Sequence, residues 1–216
     1  MKSRDDGAAS TKSWGRVSEW HAENGWRNLG GCVTRRLRSA LRFAWRRLAQ
    51  HRNHIFVHDP DAPRVNGPVG LNVSRYERLE DVPPSVAHQL QLLHGSSTLK
   101  ADRWELEHHA VLWIATLNGR VVGTSMSRRG RHFRKWFLPL AANDVVIFRN
   151  ATVREFRGIG ICPSMMGRIV QVELEDGARA YVDCRVYNRP SIRSIQKAGF
   201  RRIATKRPLK RKEAVG

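Results

Sequence analysis

The sequence predicts an α/β fold in which a mixed sheet carries helices on both faces and a basic helical extension precedes it. Three observations support this prediction. Asn118-Gly119 lies between two apolar segments, a strand–helix–strand–helix–strand pattern runs from residue 144 to 206, and residues 1–66 differ in composition from the rest. An Asn-Gly hairpin pairs antiparallel strands, whereas strand–helix–strand units pair parallel ones, so one sheet is expected to contain both.

Length and charge set the first limits on function. At 216 residues, the chain is expected to form one ordinary domain with an appendage. It has 39 Lys and Arg residues against 19 Asp and Glu residues, a formal net charge of +20. Such a charge attracts polyanions, namely nucleic acid, an anionic membrane surface or phosphorylated small molecules. A basic solubilising surface without a polyanionic partner is the alternative.

Apolar and cysteine content exclude several classes of protein. No stretch approaches the roughly 18 consecutive apolar residues of a membrane span, and the N-terminal "MKSRDDGAAS" lacks the apolar core of a secretory signal. Cys32, Cys162 and Cys184 are odd in number and have no metal-ligand spacing. The sequence therefore predicts a cytoplasmic protein with reduced thiols and no metal.

Residues 1–66 are expected to form an arm followed by a linker. Within residues 32–51, apolar side chains recur every three or four positions and arginines occupy positions between them, which predicts a basic amphipathic helix. Its apolar positions are Val33, Leu37, Leu41, Ala44, Trp45 and Leu48. Such a helix could lie on an anionic membrane at the cytoplasmic side, on its own domain, or on a second subunit of a homodimer. The linker "HDPDAPRVNGPVG" places the main domain at residues 67–207, with a basic tail at 208–216.

The first half of the main domain contains strands and helices in alternation. "LNVSRYERL" alternates in polarity and predicts a strand. "VPPSVAHQLQLLHG" predicts a helix with Gly95 near its C-cap, and "ADRWELEHH" a second short helix. "AVLWIATLNGRVVGTSMS" predicts two strands joined by a tight turn at Asn118-Gly119.

The second half continues with two further strands, predicted at "RKWFLPLA" and "DVVIFRNATV". The helix "PSMMGRIVQVELEDG" is expected to begin at Pro163 and end by Gly177, and strand "RAYVDCRVY", helix "RPSIRSIQKAG" and strand "FRRIATK" follow. The expected buried face of the first of these helices consists of Met166, Ile169, Val170 and Leu174.

The segment "FRGIGICPSMM" joins a strand to a helix through a turn that contains Arg157, Gly158 and Gly160. Such a turn exposes successive backbone N–H groups at the positive end of a helix dipole, which suits a phosphate or pyrophosphate. The N–H groups expected there belong to Ile159, Gly160, Ile161 and Cys162. A tight turn without any ligand is the alternative. The spacing is neither that of a dinucleotide fingerprint nor that of a P-loop, which disfavours NAD and ATP.

Two segments together resemble the GCN5-related N-acetyltransferases (GNAT): "REFRGIGICPSMM", and "YNRPSIRSIQKAGFRRI" one helix and one strand later. The resemblance is strong over residues 144–204, looser over 71–143, and does not extend to 1–66. It implies the GNAT-like acyl-CoA N-acyltransferase fold, acetyl-CoA as cosubstrate, and direct transfer of the acetyl group to a primary amine without a metal.

The resemblance also implies the residues that bind acetyl-CoA. The end of the strand before the turn pairs with the pantetheine arm, the turn holds the pyrophosphate, and an asparagine before the last helix contacts the cosubstrate. The positions are Ala151, Thr152, Val153, Arg157, Gly158, Ile159, Gly160, Ile161, Cys162, Asn188 and Ser191. Cys162 stands where the family usually has Gly or Ala, and we interpret it as a packing residue. Asn188 is also a suitable helix N-cap.

The catalytic groups are less clear from the sequence. Backbone groups around Thr152 are expected to stabilise the oxyanion. A base must accept a proton from the ammonium, and Asp183 ranks first because a carboxylate inside a buried strand is costly unless it is paired or functional. The other base candidates are Glu155, Asp144 and His132.

The family commonly has a tyrosine seven residues after the motif asparagine, where it protonates the departing CoA thiolate. Here that position is Ile195, which with Ile192 and Ala198 makes an apolar helix face. Tyr187, Ser191 or water are then the expected proton donors.

The motif does not specify the acceptor amine. The pattern is similar to acetyltransferases of bacterial surface-polysaccharide or other sugar-modifying pathways, which implies an amino sugar or another small molecule. An amine on a protein or an aminoacylated RNA is the competing acceptor, and the net charge of +20 favours the RNA. A non-catalytic acetyl-CoA-binding module is the alternative of a different class.

Overall fold

The computed structural model describes residues 52–207. Residues 1–51 and 208–216 lie outside the described part, and with them the predicted basic helix at 32–51 and the basic tail. Three α-helices are present in the described part: α1 (Pro84–Glu107), α2 (Ile161–Glu173) and α3 (Arg189–Lys197). None of its helices is long and apolar enough to cross a membrane. Seven strands form one sheet: β1 (Asn53–His58), β2 (Leu71–Tyr76), β3 (Val111–Leu117), β4 (Arg120–Arg129), β5 (Val145–Thr152), β6 (Ala180–Arg185) and β7 (Phe200–Lys206).

The sheet is mixed, as predicted, with the strand order β2-β3-β4-β5-β6-β1-β7. Strands β5 and β6 run parallel, and every other neighbouring pair is antiparallel. The parallel pairing extends from Val145 opposite Ala180 to Ile147 opposite Val182. Beyond this point β5 continues to pair with β4 and β6 with β1, but the two strands no longer pair with each other. A gap therefore opens in the sheet between the ends of β5 and β6.

Helices cover both faces of the sheet, which confirms that prediction. Helix α1 packs on one face, where Leu90 contacts a cluster that includes Ile114 and Met126. Helices α2 and α3 pack on the other face, where Ile169 and Ile195 are 0% and 1% exposed. The gap between β5 and β6 is therefore accessible between two helical layers.

Strand β1 corrects the predicted domain boundary at residue 67. Asn53–His58 pairs with β6 on one side and β7 on the other, so it lies inside the sheet rather than in an arm or linker. Its apolar run Ile55, Phe56 and Val57 is at most 7% exposed. A strand with neighbours on both edges and helices on both faces is continuously apolar and short, so it lacks the alternation that reveals a half-buried strand.

The predicted hairpin is present, with Asn118 and Gly119 at φ values of 50° and 75°. Two positive φ values are what a two-residue turn between twisted strands requires. The strand predicted at "RKWFLPLA" is wrong, because this segment forms bends and a loop. Its apolar side chains serve packing instead, and Trp136 lies 5.3 Å from the ring of Tyr181 on β6.

The two helices predicted around Gly95 follow one another within α1. Gly95 has φ 68° and ψ 166°, which interrupts the helix between its two halves. Helix α2 begins at Ile161, two residues before the predicted start at Pro163, and its buried face includes the predicted Met166, Ile169 and Val170. Leu174 follows the helix and is partly buried against the same core.

Candidate active site

The turn between β5 and α2 has the backbone geometry that its glycines allow. Gly158 and Gly160 have φ values of +89° and +92°, in the left-handed region that other residues rarely adopt. A side chain at either position would meet no heavy atom within 4 Å. The two glycines are therefore required by backbone conformation, and the space beside them is open.

The turn presents donors that the protein itself does not use. Among residues 52–207, no hydrogen bond is formed by the N–H groups of Gly158, Ile159 or Gly160. Gly160 occupies the N-cap of α2 and provides no side chain to cap the first turn. The N-terminal amides of this helix therefore remain open to an anionic group at the positive end of its dipole.

A cavity of about 700 Å³ runs along this turn. Arg157 closes one side, where its Nε donates to the carbonyl oxygen of Thr152 at 3.2 Å and ties the turn to the end of β5. Nine of the residues predicted to bind acetyl-CoA line this cavity: Ala151, Thr152, Arg157, Gly158, Gly160, Ile161, Cys162, Asn188 and Ser191.

Helix α3 forms the opposite wall of the cavity. Asn188 caps this helix, since its Oδ1 accepts from the N–H of Ser191 at 3.3 Å, and it also lines the cavity. Arg193 and Lys197 line the cavity too. Neither residue was among those predicted from the sequence, although their four-residue spacing places both charges on one helix face.

Two thiols lie near this cavity: Cys162 lines it, and Cys184 is buried outside the lining. Burial raises the pKa of Cys162 to about 11, and its hydrogen bond with Ser194 offsets part of this rise. Burial likewise raises the pKa of Cys184 to about 11, and Ser191 forms a hydrogen bond with that thiol. A thiol with such a pKa is protonated at neutral pH and is a poor nucleophile, which supports the interpretation of Cys162 as a packing residue.

A second cavity, of about 400 Å³, opens on the α1 side. Asn150 and Ala151 line both cavities, so the two meet at the end of β5. Asn150 is fixed there by Ser125 on β4, whose hydroxyl donates to Asn150 Oδ1 at 2.7 Å. The remaining lining residues are Leu93, Thr98, Asp102, Leu112, Thr124, Met126 and Arg149.

Arg149 has an unusual backbone conformation in this second cavity. Its φ is +54° although it lies within β5, where the register with β4 shifts between Thr124 and Met126. Its Nη2 forms an ion pair with Asp102 Oδ1 of α1 at 2.7 Å. A left-handed arginine within a strand is strained and persists only where its surroundings hold it. Neither Arg149 nor Asp102 was predicted as a site residue from the sequence.

Three of the four base candidates have other roles in the structure. Both oxygens of Asp144 accept backbone N–H groups, from Ala141 at 2.7 Å and Arg179 at 2.9 Å, so this buried carboxylate organises the loops before β5 and β6. Glu155 is 71% exposed and pairs with Arg120 at 3.5 Å. Neither lines a cavity described above.

His132 lies away from the gap between β5 and β6. It follows β4, its ring stacks on that of His109 at 4.2 Å, and Arg131 Nε contacts its Nε2 at 3.3 Å. Burial, with His109 and nearby arginines, lowers its pKa. The candidate base role of His132 has no support from this position.

Asp183, the first-ranked base, follows Val182, the last residue of β6 that pairs with β5. It therefore lies where the two strands separate, although its side chain lines neither cavity. Burial raises its pKa, while a hydrogen bond from Asn53 Nδ2 and the charge of Arg185 act in the opposite direction.

The structure does not bring every predicted residue to the cavity. Val153 does not line it, and its N–H donates to the carbonyl of Val122 at 2.9 Å, which uses this amide in the sheet. Ile159 is 49% exposed, and Tyr187 is partly buried outside the lining. Ile195 is 1% exposed in the core, as its apolar helix face predicted.

A comparison with protein families identifies the fold. The sequence profile of the acetyltransferase (GNAT) family matches residues 78–200, more than half of the chain. The chain belongs to the GNAT acetyltransferase family. Every residue that lines the two cavities lies within the matched GNAT region. The description of this family is that of an acetyltransferase.

Solved GNAT structures share this fold at low sequence identity. A GNAT acetyltransferase from Colwellia psychrerythraea has a TM-score of 0.52 and 12% identity, with 72% of this chain and 54% of that chain covered. The glucosamine N-acetyltransferase region of a fungal multi-domain GH3 β-N-acetylglucosaminidase has a TM-score of 0.51 and 15% identity, with 72% of this chain and 20% of that chain covered. A GNAT-family structure from Novosphingobium aromaticivorans has a TM-score of 0.49 and 17% identity, with 72% of this chain and 61% of that chain covered.

This chain therefore matches less than two thirds of the length of each of these structures. The two structures with TM-scores above 0.5 support the fold alone, and at 12% and 15% identity they do not carry over an acceptor. A search of curated proteins found no significant match. Among residues 52–207, no three His, Cys, Asp or Glu side chains are grouped so that they could hold a metal ion.

Proposed function

We propose that this GNAT protein transfers an acetyl group from acetyl-CoA, bound along the glycine turn, to a small-molecule amine in the second cavity. The observation that carries the proposal is the meeting of the two cavities at Asn150 and Ala151. The acetyl donor and the amine reach this point from opposite faces of the sheet, through the gap that opens where β5 and β6 separate.

The residues of the larger cavity fit acetyl-CoA. The open amides of Gly158, Ile159 and Gly160 provide donors for a pyrophosphate, and the α2 dipole adds to their attraction. Arg193 and Lys197 supply positive charge on the opposite wall for further phosphate groups. The volume of about 700 Å³ lies in the range of small-molecule and cofactor sites.

Backbone groups at the end of β5 are suited to orient the acetyl thioester. The thioester supplies an activated acyl group, and the protein contributes position and charge stabilisation. Successive residues of a strand direct their N–H groups to opposite edges, and that of Val153 points to β4. The N–H of Thr152 therefore lies on the edge that faces the gap, and we assign it to the developing oxyanion.

Proton transfer is proposed to use Asp183 and a hydroxyl or water. Asp183 lies at the gap, and its raised pKa favours a carboxylate that accepts a proton, directly or through a water molecule. For the departing thiolate, Ser191 lines the acetyl-CoA cavity whereas Tyr187 does not. Ser191 is therefore the better side-chain donor, with water as the alternative because Ile195 replaces the usual tyrosine.

The size of the second cavity favours a small acceptor. Its volume of about 400 Å³ is near the lower end of the range for small-molecule sites. An amino sugar or another small amine fits this volume. An amine on a protein or an aminoacylated RNA is the second candidate, for which the net charge of +20 is the supporting observation. A non-catalytic acetyl-CoA-binding module is the third.

The N-terminal region adds proposals that rest on the sequence. We propose a cytoplasmic protein in which the basic helix at 32–51 docks on an anionic membrane surface or on a second subunit. Its apolar stripe between arginines is the supporting pattern. A test by truncation should remove residues 1–48 and not 1–66, because the longer deletion would also remove β1 from the middle of the sheet.

The experiment that tests the proposal is an amine panel with acetyl-CoA and a free-thiol readout, applied to the full chain. The panel includes amino sugars, amino acids, polyamines, a peptide with a free amino terminus and an aminoacylated RNA. We expect thiol release that depends on a small amine, with an acetylated product detected by mass spectrometry. Saturable CoA binding without turnover on any amine would favour the binding module, and turnover on the peptide or RNA alone would favour the macromolecular acceptor.

A further inference from the structure

The second cavity contains one ion pair whose two members differ in accessibility. The side chain of Asp102 is 6% exposed, whereas that of Arg149 is 31% exposed. Both residues line the cavity, but a molecule that enters it has far more access to the guanidinium than to the carboxylate. The guanidinium is therefore the member of the pair that is open to a further contact.

The contact with Asp102 leaves donors on Arg149. A guanidinium has five N–H groups in a planar fork, and the ion pair with Asp102 is made through Nη2. Among residues 52–207, the structure gives this side chain no second ion pair. The guanidinium can therefore donate to Asp102 on one side and donate to a second carboxylate on the other.

The backbone of Arg149 supplies an independent observation. A φ of +54° within a strand is strained, and a structural ion pair alone does not require it, because an arginine on an ordinary strand could reach a neighbouring helix. The bulge lies immediately before Asn150 and Ala151, where the two cavities meet, and Arg149 itself lines the second cavity. Strain of this kind is concentrated at sites that orient ligands.

We propose that the acceptor is a small amine that also carries a carboxylate, and that Arg149 binds this carboxylate. The inference rests on the proposed acetyl transfer, of which it names the substrate class. Asp102 fixes the guanidinium in place, and the hydroxyl of Thr98 provides a neutral hydrogen-bonding group for the rest of the molecule. A carboxylate is favoured over a phosphate because one guanidinium, whose charge Asp102 partly offsets, matches a single negative charge.

The experiment compares matched amines that differ only in the anionic group. One pair is an α-amino acid and its primary amide, and the other is 2-amino-2-deoxyglucuronic acid and glucosamine, with glucosamine 6-phosphate as the phosphate arm. Rates with acetyl-CoA give kcat/KM for each amine. Calorimetry of each amine in the presence of CoA gives binding without turnover. We expect at least about tenfold preference for the carboxylate in one pair, in both measurements.

Variants test whether Arg149 causes this preference. In the double variant Asp102→Asn, Arg149→Gln, two amides can still hydrogen-bond, so α1 stays tied to the sheet without buried charge. We expect the preference to fall to within about twofold while CoA affinity stays unchanged. The control is Arg78→Gln, which makes the same arginine-to-glutamine change at a side chain that is 71% exposed and lines neither cavity. It should keep the preference.

The outcomes separate the inference from the proposed function. Turnover of amines with no carboxylate preference, a preference for the phosphate arm, or a preference that survives in the double variant would each overturn the inference alone. Failure of CoA to bind, or its binding without turnover of any amine, would overturn the proposed acetyl transfer instead. A carboxylate preference that disappears in the double variant and persists in Arg78→Gln supports the assignment of Arg149.

Discussion

Asn53 on β1 donates a side-chain N–H to the carboxylate of Asp183 on β6. Asn53 is 7% exposed, and its Oδ1 has no hydrogen-bond partner among the described residues. The carboxylate therefore depends on a strand that lies 130 positions earlier in the chain. Because β1 is inserted between β6 and β7, the region before the GNAT match contributes to the surroundings of Asp183 as well as to the sheet.

The first prediction concerns the titration of Asp183. Burial raises its pKa, and the hydrogen bond from Asn53 opposes that effect. The Asn53→Leu variant keeps the burial and removes the hydrogen bond, so we expect the pKa of Asp183 to rise further. The measurement is the pH titration of the Asp183 side-chain carbon by NMR, with Asn72→Leu, an exposed position on β2, as the control. An unchanged midpoint in Asn53→Leu would contradict the role of this contact.

The sign of the pH dependence follows from the same shift. A raised pKa means that the folded state holds the Asp183 proton more tightly than the unfolded chain does. Its contribution to stability is therefore present at low pH and decreases as the pH rises through the folded-state pKa. If Asp183 is the base, the acidic limb of the rate profile should move to higher pH in Asn53→Leu.

The second prediction concerns the charge on α3. Arg193→Gln should weaken CoA binding roughly three- to tenfold, because it removes an exposed charge-assisted contact to a phosphate. The effect should shrink as salt is raised, since exposed charges are screened. Arg189→Gln, on the same helix but outside the cavity lining, is the matched control and should bind CoA normally. Equal losses in both variants would point to a general effect of net charge.

The third prediction concerns the reactivity of the thiols. With pKa values of about 11, Cys162 and Cys184 should be alkylated slowly in the folded protein at pH 8 and rapidly after unfolding. Site-resolved mass spectrometry after timed alkylation distinguishes them from Cys32. Cys162→Ala should retain turnover. Rapid labelling of folded Cys162, or loss of turnover in Cys162→Ala at unchanged CoA affinity, would show that the thiol participates in the reaction.

Local signals in the sequence predicted much of the fold. The Asn118-Gly119 turn required two positive φ values that few other residue pairs allow, so the hairpin was specific. The glycine turn and the motif around Asn188 likewise predicted residues that the structure brings to one cavity, while their binding of acetyl-CoA stays a prediction. Strand β1 was not predicted because its three apolar residues show no alternation. A strand was wrongly predicted at "RKWFLPLA" because apolar side chains that pack a loop resemble those of a strand.

The second cavity could not be predicted in the same way. Asp102 and Arg149 are 47 positions apart in a sequence with many other charged residues, and no motif distinguishes them. Only the packing of α1 on the sheet brings them together. The left-handed φ of Arg149 also has no sequence signal, since arginine is not a residue that favours it. The contact between Asn53 and Asp183 depended on β1, so it was missed together with that strand.

The most direct test of the central claim is calorimetry of acetyl-CoA binding to Gly160→Asp and Gly177→Asp. Both glycines have left-handed φ values, +92° and +75°, and a side chain at either would meet nothing within 4 Å, so the two variants share strain and charge. Gly160 lines the acetyl-CoA cavity and Gly177 does not. We predict that Gly160→Asp abolishes binding without unfolding, while Gly177→Asp binds as the parent does. Normal binding by a folded Gly160→Asp protein would contradict the assignment of the cavity.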